Sequence, residues 1–302
     1  MKRPGVLLLV MLLAVGPASA VTVNDDRGRP VTVTAPVRRV VTLAPHATEL
    51  LFEIGAADRL VGAVEFSDYP PAARTIPRVG NAMMIDMEKL LVLQPDLVIA
   101  WQSGNSLDTV SRLEQLGIPV FVLEAGNLTM IPDQLERLGR LLGVRRQAEA
   151  DARHFIRAYD DLRRQFSDRR PVTVFYQIWD EPLMTLSADH IVSDAIRLCG
   201  GTNPFVDRHV LAPTISVESV LALDPQLIIV AGNVDRNGTA FWRQWPALQA
   251  VQAGNLFRYS DDALTRPTSR MLPAVRRLCE VIDEGRQHLA SAGHTTPDNR
   301  RK

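Results

Sequence analysis

Residues 88–99 read E-K-L-L-V-L-Q-P-D-L-V-I, and residues 218–229 read E-S-V-L-A-L-D-P-Q-L-I-I. Both copies follow one pattern: Glu, any, aliphatic, Leu, any, Leu, any, Pro, any, Leu, aliphatic, Ile. They start 130 residues apart. That period is too long for a solenoid repeat and close to the length of a domain. In each copy the apolar residues first recur at helical spacing. Pro95 or Pro225 then ends the helix, and a continuous aliphatic run follows, as in a parallel strand buried on both faces. The pattern predicts helix, tight turn and strand, twice, and so two similar lobes in tandem. Glu88 and Glu218 each open a helix, where the dipole favours a carboxylate and leaves it exposed.

Outward from the repeats, strands and helices alternate. Residues 40–43 form a strand that runs into A-P-H-A-T-E (44–49) and an apolar helix; residues 60–64 form a second strand. S-D-Y-P-P (67–71) is a rigid turn displaying Tyr69, and the first repeat's strand ends at Trp101. A helix at 107–116 and a strand at 118–123 follow, then an amphipathic helix at 131–142. From residue 145 to about 166 there is no Gly or Pro, and Ala148, Ala152, Phe155, Tyr159, Leu162 and Phe166 recur every three or four residues. This is one helix about 30 Å long at ~1.5 Å per residue, stiffer than a coil linker. The second lobe carries a strand at 172–177 leading to Trp179, a helix at 190–198, the second repeat, and a short helix holding Trp242, Trp245 and Leu248. A strand at 256–259, a loop at 260–266 and a last helix at 269–289 complete it. Residues 21–34 alternate as a small edge hairpin. The fold class is α/β: two Rossmann-like lobes joined by a single long rigid α-helix, with a ligand cleft between them at the carboxyl ends of the strands. The expected divisions are a leader (1–20), a first lobe (21–143), the linking helix (144–170), a second lobe (171–290) and a polar, disordered tail (291–302).

Lys2 and Arg3, the apolar run 6–15 and Ala18-Ser19-Ala20 form a secretory signal peptide. Its apolar run is too short to span a membrane, so the mature protein is expected to be soluble outside the cytoplasm. Lys+Arg and Asp+Glu balance at 34 each, without a basic run, which speaks against nucleic acid. A chain 46% hydrophobic has material for two cores. Cys199 and Cys279 are the two cysteines. In an oxidising compartment an even pair reads as a disulfide, here within the second lobe, two buried thiols being the alternative.

No nucleophile elbow, Gly-rich phosphate loop or paired-His metal motif is present. His46, His154, His190 and His209 are scattered; His46 stands apart because it lies at a strand end just before a helix. Tyr69, Trp101 and Trp179 fall at or just after strand ends, in both halves. Each alone could plug a lobe core; together they line a cleft for a large flat ligand. Asp262 and Arg266, four apart after the last strand, can pair with each other and hydrogen-bond ligand amides. A surface ion pair is the plainer alternative.

The segments R-V-V-T-L-A-P-H-A-T-E (39–49), S-D-Y-P-P, P-D-L-V-I-A-W (95–101), L-C-G-G-T-N (198–203), both repeats and Leu278-Cys279 carry a resemblance. In their order and spacing they resemble periplasmic substrate-binding proteins of the helical-backbone class (class III), which serve ABC importers of cobalamin, haem and iron–siderophores. The cobalamin-binding members are the most similar. The resemblance spans nearly the whole chain after the leader. It implies a monomeric periplasmic protein, neither an enzyme nor a holder of a resident metal or cofactor, that captures cobalamin and delivers it to an inner-membrane ABC permease–ATPase complex. It implies that Tyr69, Trp101, Asp262 and Arg266 contact the corrinoid, that Glu88 and Glu218 dock onto permease arginines, and that Cys199 and Cys279 form the family's disulfide. Exposed charges of this kind steer association and set register more than they add affinity.

The chain departs from the family at several points. The family's Trp near Ala82 or Met83 and its Trp at Ala212 are missing, His46 is added, and Trp179 falls one place after the family's aromatic. Either Met83, Met84 and Trp179 fill the cleft, or the ligand is a different corrinoid or tetrapyrrole, whose metal centre His46 would then approach. A haem or ferric-siderophore binder of the same class is the nearest alternative, although a siderophore site calls for several arginines and only Arg266 and Arg270 are at hand. An extracytoplasmic metal-handling enzyme is the more distant one, and the sequence offers it no converging set of ligands.

Overall fold

A computed structural model describes residues 19–166, 168–205, 210–232, 234 and 238–293. The leader before Ser19, His209 and the tail beyond Gly293 lie outside the described residues.

In chain order the elements are strands β1 (Ser19–Asn24), β2 (Pro30–Ala35) and β3 (Val40–Thr42), helix α1 (Pro45–Glu53), β4 (Leu60–Ala63), α2 (Met87–Val92), β5 (Leu97–Trp101), α3 (Leu107–Gln115), β6 (Val120–Leu123) and α4 (Met130–Leu141). Then come α5 (Arg145–Phe166), β7 (Val172–Gln177), α6 (Ile191–Leu198), β8 (Gly201–Thr202), α7 (Val217–Leu223), β9 (Leu227–Ala231), α8 (Gly238–Trp242), α9 (Gln249–Gln252), β10 (Leu256–Tyr259) and α10 (Met271–Gly293).

The first lobe's sheet has the order β4-β3-β5-β6 and the second lobe's β10-β9-β7-β8, with every pairing inside them parallel. Counted from each lobe's own first strand, both orders are second, first, third, fourth. The repeat's strands, β5 and β9, hold the same place in each, beside the first strand. In the first lobe the strand side chains alternate between two cores. Val40, Leu97, Ile99, Phe121 and Leu123 face one; Val41, Val98, Ala100, Val120 and Val122 face the other. Both faces are covered, which is why the strands read as unbroken aliphatic runs.

The two copies of the repeat match in detail. Helix α2 is capped by Asp86, whose carboxylate accepts the Lys89 amide N–H, and α7 by Ser216, whose hydroxyl accepts that of Ser219. Leu90 and Val220, at the same place in the pattern, are fully buried. Before each proline the chain turns through a left-handed residue, Gln94 (φ 43°) and Asp224 (φ 42°). After it, Asp96 accepts the amide N–H groups of Arg38 and Arg39, and Gln226 accepts that of Thr173. Each copy is thereby tied to the start of its lobe's first strand.

Helix α5 packs against α4 of the first lobe and against α6 and α10 of the second. Ala148, Ala152, Phe155, Leu162 and Phe166 are buried on it, and Tyr159 is half-buried. Gly139 lets α4 approach, because a Cβ there would sit 2.3 Å from Ala148 Cβ. Cys199, at the end of α6, is disulfide-bonded to Cys279 on α10.

Three expectations change. The hairpin β1–β2 is a two-stranded sheet of its own, not an edge of a lobe sheet. Helix α8 ends at Trp242, so Trp245 and Leu248 lie outside it and Leu248 caps α9. Helix α10 runs on to Gly293, past the expected end and into the segment read as tail. Among the described residues no helix is long and apolar enough to cross a membrane.

Candidate functional site

A cavity of about 810 Å³ lies where the second lobe's strands end: Ile178 and Trp179 follow β7, Ala231 and Gly232 close β9, and Tyr259, Ser260, Asp261 and Asp262 finish and follow β10. Phe66, after β4, lines it from the first lobe. This is the carboxyl end of parallel sheets, where ligands bind in open α/β folds. The volume lies in the upper part of the range of about 300–1,000 Å³ for small-molecule sites. The wall is mostly apolar and aromatic, with Tyr176, Met184 and Leu186 behind Trp179. Burial, and then the neighbouring Tyr259, push the Tyr176 hydroxyl well above the usual phenol range, so it stays neutral. The described residues lining the cavity include two carboxylates, Asp261 and Asp262, and no Lys or Arg.

Beneath this wall an ion cluster clasps one lobe to the other. Glu49 is buried on α1 and accepts hydrogen bonds from Arg266 Nη1 at 2.8 Å, Arg270 Nη2 at 3.0 Å and the Thr268 hydroxyl at 3.2 Å. Arg266 also reaches Asp68 at 3.1 Å and Asp262 at 3.2 Å. Burial works against the Arg266 charge, but hydrogen bonding and attraction to Glu49 outweigh it and raise its pKa. Ser269 donates its amide N–H to Glu53 at 3.2 Å. Removing one partner of such a buried cluster costs about 3–5 kcal/mol.

The structure places the sequence-derived residues as follows. Trp179 and Asp262 line the main cavity. Trp101 lines a recess of about 40 Å³ that shares His190 and Thr265 with it. Arg266 belongs to the clasp, where it holds Asp262 from behind. Tyr69 is exposed, with the Arg270 guanidinium 4.0 Å over its ring. His46 is buried (4% exposed), its ring edge-on to Trp101 at 5.4 Å. Burial, and then the charge of Arg266, push its pKa down to about 3, so it is neutral at neutral pH. Met83 is 79% exposed and is not among the residues lining the cavity. Its loop is fastened to the Trp101 loop by Asn105, which donates to the Ala82 carbonyl at 2.7 Å and accepts the Trp101 amide N–H at 2.6 Å. Glu88 and Glu218 are exposed in the first turns of α2 and α7.

Phe66, His190 and Glu49 were not singled out by the sequence. Phe66 is 71% exposed and holds φ at 64°, a conformation costing a bulky residue about 1–2 kcal/mol. Hydrogen bonds hold the residues on either side of it: the Arg78 guanidinium donates to the Ser67 carbonyl at 2.6 Å, and Glu65 donates its amide N–H to the Gly80 carbonyl at 2.8 Å. The one available signal was Phe66 standing three residues before Tyr69, at the same strand end.

Comparison with known proteins adds the following. A sequence profile described as periplasmic binding protein matches residues 40–263. The chain is 39% identical to a vitamin B12-binding protein of Vibrio cholerae over 248 residues, covering 82% of this chain and 90% of that one. It superposes with a TM-score of 0.75 on the crystal structure of the periplasmic vitamin B12 binding protein BtuF of Vibrio cholerae, at 37% identity, covering 83% of this chain and 99% of that one. The periplasmic heme-binding protein RhuT from Roseiflexus sp. RS-1 gives a TM-score of 0.70 at 20% identity, over 82% of this chain and 99% of that one, which is likeness of fold alone.

Proposed function

Because the chain belongs to the periplasmic binding protein family, we propose that it captures a corrinoid, cobalamin, in the cavity between its lobes and delivers it to an inner-membrane ABC importer. The observation that carries this is the cavity lining: aromatic and apolar walls with acidic groups and no cation among the described residues. A corrinoid presents a flat face fringed by neutral carboxamides. Apolar walls suit the face, and carboxylate acceptors suit the amide N–H groups. Haem, fringed by propionates, and an anionic ferric siderophore would find no Lys or Arg on that wall among the described residues, since Arg266 and Arg270 are paired with Glu49 and Asp262, and Arg277 with Asp261.

On this reading Phe66 and Trp179 hold the flat face from the two lobes, and Asp262, braced by Arg266, accepts from a ligand amide. His46 props Trp101 and stays neutral. Tyr69 and Met83 are first-lobe side chains exposed for contact with the ligand outside the cavity wall. Glu88 and Glu218, at equivalent exposed helix starts, are the points at which the permease docks. The protein works as a monomer in the periplasm, after loss of the leader 1–20, with lobes 21–143 and 171–290 as its two bodies. It makes and breaks no bond and holds no resident cofactor.

The test is calorimetric titration of the protein from Val21 onward with cyanocobalamin, haem and a ferric siderophore in parallel. Tight one-to-one binding of cyanocobalamin alone is expected. Heat with haem and none with cyanocobalamin would keep the transport role and overturn the ligand.

A further inference from the structure

The recess beside the main cavity is lined by Trp101, Ser103 and Glu124 from the first lobe and by Asp189, His190 and Thr265 from the second. His190 and Thr265 also line the cavity, so the recess adjoins it. His190 caps α6: its Nδ1 accepts the Val192 amide N–H at 3.1 Å. A neutral imidazole carries its proton on one nitrogen only, so the cap fixes that proton on Nε2. Burial pushes the ring's pKa down to about 4, which keeps it neutral. His190 thus presents one N–H donor. Ligating a metal through Nε2 requires the proton on Nδ1 and gives up the cap.

The first lobe supplies acceptors. Glu124 takes the Ser103 amide N–H on Oε2 at 2.8 Å and the Ser103 hydroxyl on Oε1 at 3.2 Å. A carboxylate has about four acceptor sites, so capacity remains. Asp189 adds an exposed carboxylate, and no Lys or Arg is among the described residues lining the recess. A single neutral donor beside two carboxylates complements a primary carboxamide, which has one acceptor oxygen and N–H donors. The same set repels a carboxylate of equal shape. At about 40 Å³ beside a cavity of about 810 Å³, the recess suits a side group of a ligand whose body fills the cavity.

We propose that this recess is a carboxamide subsite that takes one propionamide arm of the corrinoid, His190 donating to the amide oxygen and Glu124, with Asp189, accepting from the amide nitrogen. The assignment rests on the corrinoid reading above. It also makes the arm a bridge, because His190 belongs to one lobe and Glu124 to the other.

The test titrates the mature protein with cyanocobalamin and with its three monocarboxylic acids, in each of which one propionamide is a carboxylate. His190→Asn retains a capping oxygen and leaves no donor at the place of Nε2, its own amide nitrogen standing one atom short of it. It is expected to weaken cyanocobalamin about three- to tenfold with an unchanged thermal midpoint. One of the three acids is expected to bind the wild-type protein at least tenfold more weakly than the other two, and Glu124→Gln to narrow that gap. Undiminished affinity in His190→Asn, a loss accompanied by a lower thermal midpoint, or equal binding of the three acids overturns the subsite and leaves the corrinoid reading standing. Failure of the wild-type protein to bind cyanocobalamin overturns both.

Discussion

The first and second lobes set their strands in the same order, cap the repeat helix in the same way and turn before the same proline through a left-handed residue. Yet among the described residues Phe66 is the first lobe's one contribution to the lining of the main cavity, and the disulfide lies wholly in the second lobe. The duplicated part is the frame: the sheet order, the anchored turn and the exposed carboxylate at the helix start. The part that differs is what hangs from the strand ends. The duplicated frame sets two exposed carboxylates in equivalent places, which the proposed reading makes permease contacts, and the unequal loops leave one asymmetric cavity.

The largest effect that could break this comparison is at the outer contacts. Glu88→Arg with Glu218→Arg is expected to abolish cobalamin uptake in reconstituted transporter vesicles while leaving ligand affinity within twofold of wild type, a margin of about 0.4 kcal/mol. Each single change should impair uptake to a similar degree if the lobes are equivalent at their tops. Loss of ligand binding in the double variant would mean these carboxylates serve the cavity.

Next in size is the disulfide, which closes a loop of 80 residues in one lobe only. Cys199→Ala with Cys279→Ala is expected to cost about 4.5 kcal/mol in the chain-entropy account, read as a lower thermal midpoint. The account further expects the second lobe to exchange amide hydrogens faster while the first stays protected. Equal loosening of both lobes would show them to unfold as one unit.

Acidification probes one histidine per lobe, buried in the first and half-buried in the second. His46 and His190 have folded-state pKa values of about 3 and about 4, below the ordinary 6.5. The unfolded chain therefore binds more protons as the pH falls below about 6.5, and stability declines until the folded values are reached. Each histidine contributes about 2 kcal/mol of loss at pH 5 relative to pH 7. His46→Asn should remove roughly half of the joint loss in denaturant titrations at the two pH values. An unchanged slope would mean the ring is hydrated.

The smallest effect separates the two turns. Gln94→Gly relieves a left-handed residue and is expected to stabilise by about 0.5–1 kcal/mol. Asp224→Gly relieves the same strain, but Asp224 also accepts the Gln249 amide N–H at 2.8 Å and its side-chain amide at 2.9 Å, so the change should be neutral or destabilising. Equal gains at both positions would make the turns interchangeable.

These turns show where the sequence was legible. The switch from helical spacing to an aliphatic run marked helix, turn and strand in both lobes, because each half has its own periodicity. The left-handed conformation at Gln94 was not visible, since glutamine carries no turn preference and the proline after it signals only an extended or turn residue. Glu49 stood in plain view within A-P-H-A-T-E, but its partner Arg266 is 217 residues away and only the folded chain brings them together. Phe66 left only its nearness to Tyr69 as a signal, because its left-handed conformation goes with neighbours held by Arg78 and Gly80 and not with its own side chain. Trp245 and Leu248 kept helical spacing with Trp242, but the chain leaves α8 at Trp242 and Leu248 instead begins α9. The alternation of residues 21–34 revealed strands without saying what they pair with: among the described residues β1 and β2 pair with each other, and the turn between them reaches β6 through the Asp26 amide N–H to the Val122 carbonyl.

The measurement that bears most directly on the central claim is the crystal structure of the protein with cyanocobalamin. The account predicts the corrin ring between Phe66 of the first lobe and Trp179 of the second, at the ends of β4 and β7. A ligand seated on one lobe alone, or outside the cavity that Phe66 and Trp179 share, would contradict it.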